Sequence, residues 1–349
     1  MEEVLEKGMM RYVGRLAPSP TGALHLGNVR TFMIAWLRAR SRGGKVIFRM
    51  EDLDHPKDKP GAAAQAVEDL RWLGFDWDEE YVQSERRDIY REALEALKAQ
   101  GLVYPCVCSR RDVESAQSAP HAGEQLYYPG TCRGRFRTWG EAKGFLGESS
   151  DSRSSRLPRD SSSSRTPCWR FRVSENTVVS FDDAFAGPYE QDVSRTLGDF
   201  PLARDEFGAG YTLACTVDDL LMGVTEVVRG DDLLPATPAQ ILLARALSKR
   251  FKHRGTETQR EDGNAQCLCA SVFKYCHVPL VVGKDGRRLA KRHGDTRIAA
   301  FREQGKTPED ILGFLAASCG WAEAGERVTL RDLLPRFDLA TIPRTPFMI

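Results

Sequence analysis

The stretch that most constrains this chain is Arg15-Leu-Ala-Pro-Ser-Pro-Thr-Gly-Ala-Leu-His-Leu-Gly-Asn28. Pro18 and Pro20 each lack an N–H and fix φ, which forbids a regular helix or central strand there. Tyr12 to Ala17 reads as a strand feeding this turn, and Val29 to Arg42 carries a helical mixture of apolar and basic residues. Gly22 and Gly27 let the backbone turn tightly and let a ligand approach it. The predicted product is strand, rigid loop and helix N-terminus, with the imidazole of His25 just ahead. Such a terminus offers unpaired N–H groups and partial positive charge, which suits a nucleotide phosphate.

Composition sets outer bounds. A chain of 349 residues has room for two or three domains, and 41% hydrophobic with 28% charged content implies a real core. The net charge of +1 leaves nucleic-acid binding to local patches. No window is long and apolar enough for a membrane span, and the acidic N-terminus lacks a secretory core, so a cytoplasmic protein is expected. Nine cysteines, three closely grouped, favour metal ligands and free thiols over a disulfide framework.

Further along, Lys45–Met50 reads as a strand ending at Glu51, where ligands gather in open α/β sheets and a carboxylate can hold an ammonium group. Gly61–Trp72 and Arg86–Gln100 show apolar residues at spacings of three and four, so both are predicted helices. Cys106, Cys108 and Cys132 supply three thiolates, one short of the usual zinc set, with His121 a chemically suitable fourth and free thiols the plain alternative. Gly140–Thr166 is Ser/Arg-rich without apolar period and reads as a disordered insertion, most clearly over about 147–166. Cys168–Val173 and Val178–Asp182 alternate as strands, and Gly198 to Asp219 reads as two strands joined by a Gly-bearing turn. Gly223–Gly230 forms a strand placing Arg229 at its carboxyl end, where a guanidinium can pair with a carboxylate in two-pronged fashion. Ala236–Lys249 is helical, and 251–268 is a second polar insertion. Cys267, Cys269, Cys276 and His277 have metal-like spacing, though part of the set lies at that insertion's edge. Asp285-Gly286 marks a turn before a basic loop, and Thr307-Pro308 marks a helix start.

In combination these motifs carry a family resemblance over roughly residues 11–315. His25-Leu-Gly-Asn28 after Ala17-Pro-Ser-Pro-Thr-Gly22 resembles the HIGH signature of class I aminoacyl-tRNA synthetases in its glutamyl version. Arg49-Met-Glu-Asp-Leu-Asp54 resembles that group's strand end, and Tyr211 with Val217-Asp-Asp219 its active-site segment. Arg287 to Arg292 resembles the KMSKS loop, with Lys291 at the second lysine, Arg288 in place of the first and Ala290 in place of the serine. Cys215 replaces the asparagine common in glutamyl-tRNA synthetases. C-x-C followed by Y-x-x-x-C resembles the zinc motif of glutamyl-Q tRNA(Asp) synthetases, which implies Cys106, Cys108, Tyr128 and Cys132 as ligands.

The resemblance implies an α/β fold: a Rossmann-like catalytic domain in two halves, 11–103 and 201–297. An inserted zinc-bearing, acceptor-binding subdomain would occupy 104–200 and a short helical piece 298–349. It implies activation of L-glutamate by ATP with Mg²⁺, structural Zn²⁺, and transfer to RNA by a monomer without membrane contact. Catalysis and ATP binding fall to His25 and Lys291, with Gly27 and Asn28 also at ATP. Glutamate binding falls to Arg15, Leu16, Ala17, Pro18, Ser19, Glu51, Tyr211 and Arg229. Only 58 residues follow Lys291, short of a large anticodon-binding region. Within the resemblance, that selects the glutamyl-Q tRNA(Asp) synthetases, and so implies queuosine in tRNA(Asp) as acceptor. A truncated glutamyl-tRNA synthetase and a decayed zinc-stabilised RNA-binding module are the alternatives.

Overall fold

The computed structural model describes residues 12–53, 58–116, 127–151, 165–251, 273–287, 289 and 295–349. Three parallel strands open the chain: β1 (Val13–Leu16), β2 (Lys45–Met50) and β3 (Glu79–Val82). Between them run α1 (Leu26–Arg40) and α2 (Ala62–Trp72), and α3 (Arg87–Ala99) follows. β2 is buried at five of six positions, as a parallel strand covered on both faces must be.

Next come β4 (Val103–Cys106), α4 (Arg110–Ala116), α5 (Trp139–Asp151), β5 (Cys168–Phe171), β6 (Val178–Asp183), β7 (Gly187–Asp192), α6 (Val193–Thr196) and β8 (Phe200–Ala203). β4, β5 and β8 make a small antiparallel sheet. β6 and β7, although they lie within the stretch expected to form the insertion, extend the main sheet through Tyr275↔Asp183. The helix α5 replaces the disorder expected at 140–151; Ala142 is fully buried and Trp139 stacks on Trp169 at 5.4 Å, contacts that composition does not reveal. Residues 152–164 of that segment lie outside the described residues.

The last third holds α7 (Tyr211–Leu221), β9 (Glu226–Gly230), α8 (Thr237–Phe251), β10 (Lys274–Val278), β11 (Val281–Val282), α9 (Ile298–Glu303), α10 (Pro308–Ala317), α11 (Leu330–Leu333) and β12 (Phe347–Met348). The second strand expected at 211–219 is therefore a helix. Thr212, Thr216 and Val217 gave a strand-like local signal, but Leu213, Ala214 and Val217 share one helical face and are fully buried in a cluster with α3 and α8 residues. Of the second insertion, 252–268 lies outside the described residues, while residue 251 ends α8.

β9, β10 and β6 pair in parallel, in the order β7-β6-β10-β9. β9 lies against β1: Thr225 N–H donates to Val13 O (2.9 Å) and Arg15 Nη1 to Val228 O (2.9 Å). The two halves of the chain thus wind away from each other at β1 and β9, which is the topological switch point where α/β sheets bind ligands. Glu226 cements the seam from β9, accepting from Arg38 Nη2 on α1 (2.8 Å) and from the Tyr12 hydroxyl (2.7 Å). No helix among the described residues is long and apolar enough to cross a membrane.

Thr307 caps α10 with Pro308 at the first turn, in a capping box with Asp310. Inside α10, a Cβ on Gly313 would sit 1.8 Å from the Glu326 carbonyl oxygen. Alanine in a helix interior ordinarily gains up to about 1 kcal/mol over glycine. Here overpacking costs about 1–3 kcal/mol, so Gly313→Ala is expected to lower the melting temperature. A raised melting temperature in a thermal scan would contradict this packing.

Candidate active site

The site assembles from strand ends and the turns that follow them. His25 is the N-cap of α1: its Nδ1 accepts from Gly27 N–H (3.1 Å), and its own N–H donates to Asn28 Oδ1 (3.2 Å). An accepting Nδ1 leaves the proton of the neutral ring on Nε2. Leu26 N–H is also engaged, with Thr296 O (3.1 Å). The helix thus starts three residues earlier than its apolar pattern suggested. Two of the N–H groups expected to await a phosphate are already paired, and Asn28 works as a cap.

Lys291 lies outside the described residues, but the segment leaving its loop is pinned to the His25 turn. Ile298 N–H donates to Leu24 O (3.0 Å), and His25 bridges to Arg297. The turn at Asp285-Gly286 forms as expected, with Gly283 N–H donating to Arg287 O (2.9 Å).

Glu51 follows β2 directly and is anchored by its N–H to Pro18 O (2.9 Å). Its Oε1 accepts from Arg49 Nη2 (3.0 Å) and from the Cys215 thiol (3.1 Å), which leaves Oε2 for a ligand. Burial pushes the Cys215 thiol well up, and the Glu51 charge adds to this, so it stays protonated and donates. Arg49 has no exposed surface and also reaches Asp219 Oδ1 (2.6 Å). Burial disfavours its charge, but Asp219 and Glu51 together hold the guanidinium ionised.

Asp219 in turn lies 3.6 Å from Arg15 Nε, a buried donor with no hydrogen-bond partner. Its neighbour Asp218 is fully buried and accepts from Gln83 (3.0 Å), Arg86 (2.8 Å) and Tyr90 (2.8 Å). Because α7 is a helix, both consecutive acids reach the same charged cluster; in a strand they would face opposite sides.

Arg229 ends β9 almost fully buried. Its Nε donates to His277 Nε2 (3.0 Å) and its Nη2 to Thr237 Oγ1 (2.7 Å). Tyr211, 43% exposed at the start of α7, lies within the electrostatic reach of Cys215, Glu51, Arg229 and Arg15. The structure therefore brings together Arg15, Glu51, Tyr211 and Arg229. Pro18 and Ala17 border this group through the β1 turn, and Ser19 is exposed. Leu16 departs from expectation: its side chain has no exposed surface and belongs to the core, so only its backbone can serve a ligand.

A second constellation lies at the small sheet. Cys106, Cys108 and Cys132 have sulfurs within 4.8 Å of one another. The Tyr128 hydroxyl is 3.3 Å from Cys106 Sγ and 3.7 Å from Cys108 Sγ. Hydrogen bonds from Cys108, Cys132 and Cys168 hold the Cys106 thiol far below its usual range. Arg170 Nε donates to Cys106 Sγ (3.2 Å), with its guanidinium 3.9 Å over the Tyr128 ring. His121 lies outside the described residues. Of the looser set, the two described members, Cys276 and His277, are successive strand residues facing opposite sides, Cys276 in the core and His277 on Arg229, while Cys267 and Cys269 lie outside the described residues.

Sequence reasoning missed Asp183 and Thr237, and missed the roles of Arg49, quoted only within a family-like strand end, and of His277, considered only as a metal ligand. A signal for Arg49 existed: Arg-x-Glu on one face of an otherwise apolar strand. The other three are joined only by tertiary folding. Replacing Arg49 with Met would leave Glu51 with only the Cys215 thiol and Asp219 with only Arg15 at 3.6 Å, and breaking such a buried ion pair costs about 3–5 kcal/mol. The expected outcome is a large fall in melting temperature; an unchanged one would dismiss Arg49 as the centre of this cluster.

Residues 12–269 match the family described as tRNA synthetases class I (E and Q), catalytic domain. A protein of Symbiobacterium thermophilum named glutamyl-Q tRNA(Asp) synthetase is 43% identical, over 96% of this chain and 95% of its own length. One of the same name from Rhodopirellula baltica is 42% identical, over 98% and 97%. The glutamate–tRNA ligase of Aquifex aeolicus is 35% identical, and the match spans 97% of this chain but 64% of that protein. A crystal structure of a glutamate tRNA ligase from Elizabethkingia meningosepticum, in complex with its amino acid, superposes with a TM-score of 0.72 at 25% identity, covering 97% of this chain and 67% of that one. An α/β sheet with its charged residues at the switch point, and relatives alike over nearly their whole length, lead to one conclusion: the chain is a ligase-type enzyme that belongs to the class I glutamyl/glutaminyl tRNA synthetase family, among the relatives named glutamyl-Q tRNA(Asp) synthetase.

Proposed function

We propose that this enzyme activates glutamate with ATP and transfers the glutamyl group to the queuosine base of tRNA(Asp). The observation that carries this reading is the near full-length match to relatives named for that activity, set beside the 64% coverage of the glutamate–tRNA ligase.

In the first step a carboxylate oxygen of glutamate attacks the α-phosphorus of ATP, and the bond to pyrophosphate breaks. In the second, a hydroxyl of the acceptor attacks the acyl carbon and AMP leaves, while the hydroxyl proton is lost. Mg²⁺ bound with ATP would supply positive charge to the phosphates. Arg229 and Arg15 are the receptors for the substrate's two carboxylates, the latter with its unpartnered Nε. Glu51 Oε2 takes the ammonium, held in place by Arg49 and Cys215. Tyr211 closes the open side of the pocket, and the backbone of Ala17 to Ser19 borders it. His25 and Lys291 take ATP, with Gly27 letting the chain approach; residues 296–298, which follow Lys291 in sequence, are anchored at the His25 turn. The protein contributes position and charge, and no covalent nucleophile is required.

Cys106, Cys108, Cys132 and Tyr128 fit a structural Zn²⁺ site. Their donor atoms converge, and all four positions would be filled by protein. Burial, and then Cys106, push the Tyr128 phenol up, so it needs the cation's charge to ionise.

Two outcomes are expected. Protein expressed with zinc and purified without chelator should carry one zinc per chain, lost in Cys106→Ser and weakened in Tyr128→Phe; metal-free protein would reject the site. Glutamate label should pass to tRNA from cells that make queuosine and not to tRNA from cells that cannot. Equal labelling of both, or label released with the terminal adenosine, would instead indicate charging of the acceptor end.

A further inference from the structure

We propose that Asp183 and His277 form a buried positioning relay that aims the Arg229 guanidinium at a substrate carboxylate, an inference that rests on the reading of Arg229 given above. The three residues come from the ends of three neighbouring strands, β6, β10 and β9, and are 4%, 1% and 5% exposed. Asp183 Oδ2 lies 2.6 Å from His277 Nδ1, and His277 Nε2 lies 3.0 Å from Arg229 Nε.

The proton positions follow from donor and acceptor chemistry. A carboxylate only accepts, so Nδ1 must carry the ring proton. Nε2 then presents a lone pair, which is what the Arg229 N–H requires. Asp183 cannot swing away: its Oδ1 also accepts from the N–H groups of Phe185 (3.0 Å), Ala186 (2.8 Å) and His277 (3.0 Å). Burial would raise its carboxyl, yet the bonds from His277 and Ala186 hold it down at about 2. Burial, aided by Arg229, keeps the imidazole below its ordinary range despite Asp183, so the ring stays neutral.

The consequence is a guanidinium fixed by neutral partners alone. Arg15 and Arg49 both lie within ion-pair distance of Asp219. Arg229 has no carboxylate within that distance among the described residues; it is held by an imidazole and by the Thr237 hydroxyl. Its charge is therefore uncompensated locally and available to an anion, and its Nη1 group is left to meet one. A direct carboxylate partner would hold the arginine equally well but would compete with the substrate. The relay keeps the acidic group one imidazole away.

The discriminating variant is Asp183→Asn. Its amide oxygen can keep the three backbone N–H groups, so the fold is retained, but its NH2 then faces His277 Nδ1. That arrangement drives the ring proton to Nε2, where it opposes the Arg229 N–H. Glutamate-dependent ATP–pyrophosphate exchange should show a KM for glutamate raised about 10- to 100-fold, the loss of one hydrogen bond to a charged group. The KM for ATP should change less than about twofold on the same scale. His277→Gln, whose amide oxygen can accept from Arg229, should retain most of the glutamate affinity, and adding Asp183→Asn to it should have little further effect. Nitrogen NMR of the wild type should find His277 with its proton on Nδ1. A glutamate KM unchanged in Asp183→Asn, while Arg229→Ala raises it, would overturn the relay and leave the role of Arg229 standing. An unchanged KM in Arg229→Ala would overturn both. A rise in both substrates' KM together with a lower melting temperature would mean that the pair is structural, and would also overturn the relay.

Discussion

A guanidinium with no exposed surface is the constraint on which the rest of this site depends. Arg49 can stay charged only because Glu51 and Asp219 share it, and those carboxylates come from opposite halves of the chain. Desolvating such charges costs several kcal/mol per ion unless geometry and further hydrogen bonds offset it. Here they do: Cys215 completes Glu51, and Gln83, Arg86 and Tyr90 satisfy the neighbouring Asp218. The two halves must therefore close to a single geometry before the charges are satisfied, and that geometry sets Glu51 beside Tyr211.

The same closure explains where the arginines lie. β1 and β9 meet at the switch point, held by the Thr225–Val13 bond and by Glu226 against Arg38 and Tyr12. Arg15 and Arg229, one from each strand, face the crevice where strand ends diverge. Arg15 gives part of its charge to Asp219, whereas Arg229 is held by neutral groups. The site thus gathers two guanidiniums of unequal compensation and one carboxylate, and the proposed binding of glutamate, with its two carboxylates and one ammonium, rests on that charge pattern.

Local signals were read correctly where residues a few positions apart carry the structure. Lys45–Met50 is a strand at the expected positions, and Thr307-Pro308 caps a helix. They failed where a distant partner decides. Tyr211–Leu221 has β-branched residues at several positions, yet burial against α3 and α8 makes it helical. The Ser-rich composition after Trp139 looked disordered, yet stacking of Trp139 on Trp169 and burial of Ala142 order the start of that segment as a helix.

By itself the sequence determined the chemistry available: a proline- and glycine-bound turn before His25, a carboxylate after β2, a guanidinium at the end of β9 and three clustered thiols. These are properties of residue type and short spacing, so they survive without coordinates. Only the tertiary structure decided which of them meet, and what holds them. Arg49 joins Glu51 to Asp219, and Asp183 reaches Arg229 through His277, across separations of 170 and 94 residues at their longest links. No local pattern encodes such pairs, because each is fixed by how sheets and helices pack and by the cost of leaving a buried charge or donor unpaired.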